Sequence, residues 1–249
     1  HFQPKTFVMK NFRIIIAVGL LAAISLSAQA QEQKRDAILK NHFETIGQDK
    51  VLQVKTLKMT GHSMVQGTEL PFVMYVKKPG KVRNEITFQG QKMVQAYNGE
   101  KGWSLIPWMS STPQDMSGIQ LKSMKETAEL EGALYNWKKK GHQLEYIGEE
   151  EVQGTPVYNL QLNKKNGDVV NYYLDKDSYI VIKQKVLTTV NSQEIETETY
   201  LGNYKMIEGM AFPMSMETRL PQGASQVNID AIEIGIELGD SMFEKPQSE

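Results

Sequence analysis

The chain contains no cysteine and only four histidines in 249 residues. Without cysteine there are neither disulfides nor thiolate metal sites, so a core alone must hold the fold together, even in an oxidising compartment. The same absence excludes acylation of a cysteine behind a leader sequence. Charge of one sign is also lacking: 28 basic and 29 acidic residues leave a formal net charge of −1, a poor balance for binding nucleic acid. Apart from one stretch near the N-terminus, no apolar run exceeds the length of a buried strand, so no second membrane span is expected. The sequence has no Gly-x-Ser-x-Gly elbow, no phosphate loop and no His-Glu-x-x-His helix. Beyond the N-terminal stretch the histidines are His42, His62 and His142, far apart in the chain. Carboxylates cluster at Asp175 and Asp177 and at Glu149, Glu150 and Glu151, beside turns where solvated acids are the ordinary case. No catalytic residue, metal site or cofactor is expected.

The apolar stretch that does occur has an address. Met9 is followed by Lys10 and Arg13, then by the run Ile14–Leu26 and by Ala28-Gln29-Ala30, with no acid before Glu32. The run is about half the length of a bilayer span and ends in the small-x-small pattern that signal peptidase cuts. Residues 9–30 therefore read as a secretory signal peptide and 1–8 as upstream residues. Cleavage near Ala30/Gln31 would leave a soluble periplasmic protein; a retained membrane anchor is the alternative. Cleavage removes Lys5, Lys10 and Arg13 with no acid, which makes the remainder more acidic. Residues 31–249 suffice for a single domain.

From Glu32 to Leu57 the apolar residues Ala37, Ile38, Phe43 and Ile46, with Gly47 just after, fit an amphipathic helix with a glycine cap. The period then changes to two. Val82/Asn84/Ile86/Phe88, Tyr158/Leu160/Leu162, Val170/Tyr172/Leu174 and Phe212/Met214/Met216 all alternate with their neighbours, as half-buried strands do. Turn signals separate them: Lys78-Pro79-Gly80, Gln89-Gly90, Asn98-Gly99, Gln153-Gly154, Asn166-Gly167-Asp168, Asp175-Lys176-Asp177, Glu208-Gly209 and Pro221-Gln222-Gly223. Consecutive hairpins predict a mainly β fold, a large antiparallel sheet that must curl into a half-closed barrel to bury one face. The stretch 107–141 breaks the rhythm, with Lys122–Leu134 compatible with a helix weakened by Gly132. An insertion of this length predicts a lid, or a static plug, across the sheet.

The order Tyr75-Val76-Lys77-Lys78-Pro79-Gly80-Lys81-Val82-Arg83, Tyr97-Asn98-Gly99-Glu100-Lys101-Gly102-Trp103, Tyr173-Leu174-Asp175-Lys176, Glu208-Gly209-Met210-Ala211-Phe212-Pro213 and Met242-Phe243-Glu244-Lys245-Pro246 resembles the periplasmic lipoprotein-carrier (LolA-like) superfamily. Within it the chain most resembles the divergent branch of outer-membrane lipoprotein-sorting proteins of Bacteroidetes-type bacteria. The resemblance spans nearly all of residues 31–249. It implies a half-barrel of the LolA, LolB and LppX type, covered by an N-terminal helix and a helical lid around an apolar cavity for acyl chains. It also implies lipoprotein acyl chains or another lipid as partner, an inner-membrane release complex as donor and an outer-membrane acceptor. Carriers of this kind have an arginine before the turn proline that fastens the lid; here that position is Lys78, which offers a charge but no bidentate fork.

Of 13 methionines all but Met9 lie beyond the leader, and Trp103, Trp108 and Trp137 sit in or near the insertion. Flexible, polarizable methionines suit a surface that accepts chains of varying shape, although a ligand-free core uses them equally well. The expected lining is Met59, Met64, Phe72, Met74, Phe88, Met93, Trp103, Trp108, Met109, Met116, Ile119, Met124, Leu160, Tyr172, Met214 and Met216. Two other readings use the same barrel: a non-enzymatic envelope sensor or protein-interaction module, and an uncharacterised hydrolase.

Overall fold

The computed structural model describes residues 9–247 except 191, 221 and 222, with side chains from residue 28 onward. Residues 1–8, the side chains of most of the leader and the Pro221-Gln222 part of the last turn thus lie outside the described residues. Two helices, α1 (Met9–Ile46) and α2 (Gln48–Gln53), come first. They lead into β1 (Thr56–Val65), β2 (Thr68–Lys77), β3 (Lys81–Phe88), β4 (Gln91–Tyr97), β5 (Gly102–Leu105) and β6 (Gln114–Asp115). Helix α3 (Gly118–Thr127) follows. The chain continues through β7 (Gln143–Val152), β8 (Thr155–Asn163), β9 (Val169–Asp175), β10 (Val181–Val190), β11 (Gln193–Ile207), β12 (Met210–Leu220) and β13 (Gly223–Ile234).

All strands join one antiparallel 13-stranded sheet in the order β6-β5-β4-β3-β2-β1-β13-β12-β11-β10-β9-β8-β7. The first strand pairs with the last, Leu57 opposite Ile234 and Val65 opposite Ser225, while β6 and β7 remain unjoined edges. The sheet is therefore an open half-barrel. Its tight hairpins owe their geometry to paired left-handed residues: Gln89 and Gly90 have φ of 50° and 77°, and Gln153 and Gly154 have 50° and 83°, as in the turns that match strand twist. Gln66-Gly67, with φ of 50° and 78°, is a further such turn that the sequence reading passed over.

The helical segment is two helices instead of one. Gly47 adopts φ 69°, and a Cβ there would lie 2.1 Å from the Gly209 carbonyl oxygen, so only glycine fits. The chain turns at that point, and α2 packs beside the β11–β12 turn before β1 begins at Thr56. The insertion also departs from the Lys122–Leu134 expectation. Its helix runs Gly118–Thr127, and the chain then turns through Gly132 at φ 74° and Asn136 at φ 54°.

The concave face holds two apolar clusters. Under α1, Ile38 and Leu39 meet Leu134, Leu144, Leu160, Leu162, Val170, Tyr172 and Leu174. Under α2 and α3, Val54, Met116 and Met124 meet Leu57, Val76, Val82, Tyr97 and Met210. A third, smaller cluster of Val94, Ala96 and Trp103 lies on the outer face. Residues 235–247 cross that face as a strap, with Phe243 wholly buried. The strap is tied by Lys77 Nζ donating to the Leu238 carbonyl at 2.7 Å, Arg83 to Met242 at 2.9 Å and Trp103 Nε1 to Phe243 at 2.9 Å.

Candidate functional site

Between the helices and the sheet lies a cavity of about 460 Å³, within the range of roughly 300–1,000 Å³ typical of small-molecule sites. Its floor is the concave side of β1 and β9–β12, where Leu57, Val170, Val181, Val186, Leu201 and Phe212 point inward. Its roof is Phe43 and Ile46 of α1, Val51 of α2 and Leu130, Ala133 and Leu134 after α3. Strand alternation supplies the floor and the one-sided apolar stripe of α1 supplies the roof. The charged lining residues are Glu126, Glu129, Glu131 and Lys164, which belong to or follow α3 and β8, and Gln184 of the floor and His42 and Gln48 of the roof add neutral polar groups. Two phenols reach the wall: burial pushes Tyr172 and Tyr204 well above the ordinary tyrosine range, so both stay neutral. The Tyr204 hydroxyl donates to the Val181 carbonyl at 2.7 Å. A larger groove of about 1580 Å³ runs outside this cavity, but it is open and lined by charged side chains such as Lys78, Lys125, Glu129 and Lys140, a poor place to bury an acyl chain. Among the described residues no group of three or more His, Asp or Glu side chains is placed to hold a metal ion.

His42 anchors the roof. It is buried, and its Nδ1 lies 2.8 Å from the Tyr179 carbonyl, which fixes the neutral tautomer with the proton on Nδ1. Burial lowers its pKa below the ordinary 6.5, and the bond to Tyr179 opposes this only partly. The unfolded chain therefore takes up the proton first as pH falls. Stability from this residue is complete above about pH 6.5 and declines below it, at no more than about 1.4 kcal/mol per pH unit. We expect the urea midpoint to fall between pH 7 and pH 5 and a His42→Gln variant to lose much of that slope; an unchanged slope would contradict the assignment.

The residues expected to line a cavity are dispersed, and Tyr172 alone among them lies on this wall. Leu160 packs beneath α1, and Met59, Met74, Met116 and Met124 fill the second cluster. Phe72 lies against the bare backbone of Gly61, where a Cβ would come within 2.9 Å of its ring. Phe72, Phe88, Met93 and Met216 are half-buried, and Met214 is buried; all share the concave face further along the strands. Trp108 is half-exposed and stands edge-on to Phe88, with ring centroids 5.6 Å apart. Met109 and Ile119 are exposed. Two placements correct the expectation outright. Met64 has the opposite parity to Leu57 and Met59 on an unbroken β1–β2 ladder, so it faces outward. Trp103 pairs with Ala96 on the outer face beneath the strap. The wall of this cavity, Phe43, Val51, Val186, Leu201 and Phe212 among it, carries no unusual residue type. The signals that could have found it are the α1 stripe and the alternation of β9 to β12.

Lys78, the latch candidate, fastens a roof element other than the insertion. Its Nζ donates to the carbonyls of Val51 at 2.9 Å and Leu52 at 3.2 Å, capping the C-terminus of α2. Lys78→Met is expected to cost only about 0.3–1 kcal/mol in chemical denaturation. The bonds that fasten the insertion lie elsewhere. Lys122 on α3 meets Asp168 at 2.5 Å, Thr188 donates to the same carboxylate at 2.6 Å, and Glu126 pairs with Lys164. Against the opposite wall, Met116 and Leu121 press on Gly102, which has no side chain to obstruct them. Helix α3 thus bridges the two sides of the half-barrel, from β3 and β4 to the start of β9.

Comparison with solved structures agrees with this architecture. A protein of the DUF1329 family from Desulfovibrio piger is similar with a TM-score of 0.59 at 14% identity, covering 83% of this chain and 97% of its own. A LolA superfamily protein from Nitrosomonas europaea gives 0.57 at 14% identity, covering 85% and 97%. A domain from Vibrio parahaemolyticus provisionally assigned to outer-membrane lipoprotein sorting gives 0.54 at 11%, covering 80% and 95%. No protein-family model and no curated protein sequence matches the chain. The fold is LolA-like. No described helix is long and apolar enough to cross a membrane.

Proposed function

We propose that the protein is a periplasmic carrier that holds an acyl chain of a lipoprotein or other lipid in the cavity between its helices and its sheet. On this reading residues 9–30 are a signal peptide and residues 31–249 the working domain, which takes cargo from an inner-membrane complex and yields it to an outer-membrane acceptor. The observation that carries the proposal is the cavity itself: floor and roof are mostly aliphatic or aromatic, with Gln184, His42 and Gln48 as neutral polar groups and Glu126, Glu129, Glu131 and Lys164 as the charged ones. That division matches an amphiphile with its tail inside and its head left outside the cavity. Each methylene buried there contributes about 0.8 kcal/mol, enough for a single chain to be retained without any covalent chemistry. Similarity in fold to a LolA superfamily protein and to a domain linked with lipoprotein sorting supports the same reading.

The test places a charge on the floor. Val186→Glu introduces an unpaired carboxylate into the tail path, at a cost of several kcal/mol to any bound chain. With circular dichroism unchanged, the variant is expected to lose binding of a fluorescent acyl probe with an uncharged head, while the parent binds it with a negative heat-capacity change. Binding that survives in the variant would place the ligand elsewhere.

A further inference from the structure

The cavity has two walls through which a chain could pass, and they differ in what must be broken. On the α3 side the way is closed by the pair between Lys122 and the buried Asp168, by the Glu126–Lys164 pair and by the packing of Met116 and Met124. On the other side, the turn at Gly47 leaves a crook between α1 and α2. A groove of about 540 Å³ occupies it, floored by Leu39, Phe43, Leu52 and Tyr135. Phe43 and Gln48 line this outer groove and the inner cavity alike, so their side chains are the partition between the two. Gln48 is fixed, donating to the Glu131 carbonyl at 3.1 Å. The Phe43 ring is half-buried, packs against the apolar cluster under α1, and stands edge-on to Tyr135 at 5.9 Å and tilted to His42 at 5.6 Å between centroids.

We propose that the acyl chain enters and leaves the cavity through this crook, with the Phe43 ring as the door, and not beneath α3. The inference rests on the carrier reading and adds its access route. Swinging a phenyl ring breaks no hydrogen bond and no ion pair, whereas lifting α3 separates a buried carboxylate from its cation, the more costly step by far. The crook also selects its cargo. Asp36, Glu44 and Asp49 stand at its rim with Lys40, Asp36 paired with Arg35 at 2.8 Å and Glu44 with Lys40 at 3.8 Å, so the rim keeps a small net negative charge. A head group left at this rim is favoured when uncharged or cationic and disfavoured when anionic.

A door changes rates and leaves the equilibrium alone, which separates it from the cavity. The absence of native cysteine permits a single one at Leu52, on the groove, or at Ser123, on the exposed side of α3, each alkylated with a bulky maleimide. Stopped-flow mixing with the uncharged fluorescent acyl probe is expected to show uptake and release both slowed at least tenfold by the Leu52 adduct, with affinity retained, and neither altered by the Ser123 adduct. Phe43→Ala should accelerate both, with a change in affinity of its own because the ring also lines the cavity. Rates unchanged by the Leu52 adduct, or slowed by the Ser123 adduct instead, would overturn the route while leaving the carrier reading intact. If the unmodified protein takes up no probe, the carrier reading itself falls and the route with it.

Discussion

Lys122→Met is expected to destabilise the fold by about 3–5 kcal/mol. Asp168 is almost fully buried: burial alone would raise its pKa, but hydrogen bonds from Lys122 and Thr188 outweigh this and hold it below the ordinary carboxylate range. It is therefore ionised at neutral pH. Removing Lys122 leaves that charge in place with only the Thr188 hydroxyl to serve it. Asp168→Asn should cost less, because Lys122 keeps about a third of its side chain in water and can turn outward. The double variant is then expected to be less damaged than the sum of the two, as groups in direct contact are not additive. The pair also sets a pH window. With the folded pKa depressed, its contribution is complete above about pH 3.8 and is lost as the pH falls further through the folded value. Urea denaturation of the three variants decides it. Equal, small losses for Lys122→Met and Asp168→Asn would mean that α3 is held by packing alone.

Trp103→Ala is expected to cost a similar amount, about 3–5 kcal/mol, on the opposite face. The indole is buried, its Nε1 donates to the Phe243 carbonyl, and the Arg83 guanidinium lies 5.7 Å from its ring. Truncation opens a cavity under the strap and removes one of its ties. The remaining ties are the buried Phe243, the bonds of Lys77 and Arg83 to the Leu238 and Met242 carbonyls, and exposed ion pairs: Asp240 between Lys77 and Lys81, whose hydrogen bonds draw its pKa down to about 2, and Lys245 with Asp115 at 2.8 Å. The exposed pairs contribute little each, so with the indole gone the end of the strap from Phe243 onward is the part expected to loosen. Cleavage by chymotrypsin after Phe243, which is wholly buried in the parent, in native buffer is the readout. A strap that stays protected in Trp103→Ala, with stability within 1 kcal/mol of the parent, would contradict this role.

The hairpin order was legible because turn chemistry is local: a Gln-Gly or Glu-Gly pair that must take two positive φ angles declares itself in two letters. Alternation likewise marked the strands. It could not say which of two faces is concave, since both phases of a strand such as β1 carry apolar residues, and Met64 was therefore placed inside when it faces out. Trp103 was misread for a related reason: the strap that buries it comes from residues 235–247, far away in the chain. Methionine was the wrong guide to the cavity. Met116, Met124 and Met210 fill irregular gaps between helix and sheet, as an adaptable side chain does, while the cavity wall is built from ordinary valine, leucine and phenylalanine. The helical cap at Gly47 was readable from its glycine, but the second helix was not, because the turn depends on contact with Gly209.

Native mass spectrometry of the protein purified from the periplasm tests the central claim most directly. The expected result is an added mass of one acyl-bearing amphiphile that fragments to a free lipid, present in the parent and absent from a folded Val186→Glu variant. A parent that carries no such mass, and that acquires none when titrated with a single-chain amphiphile, would contradict the account.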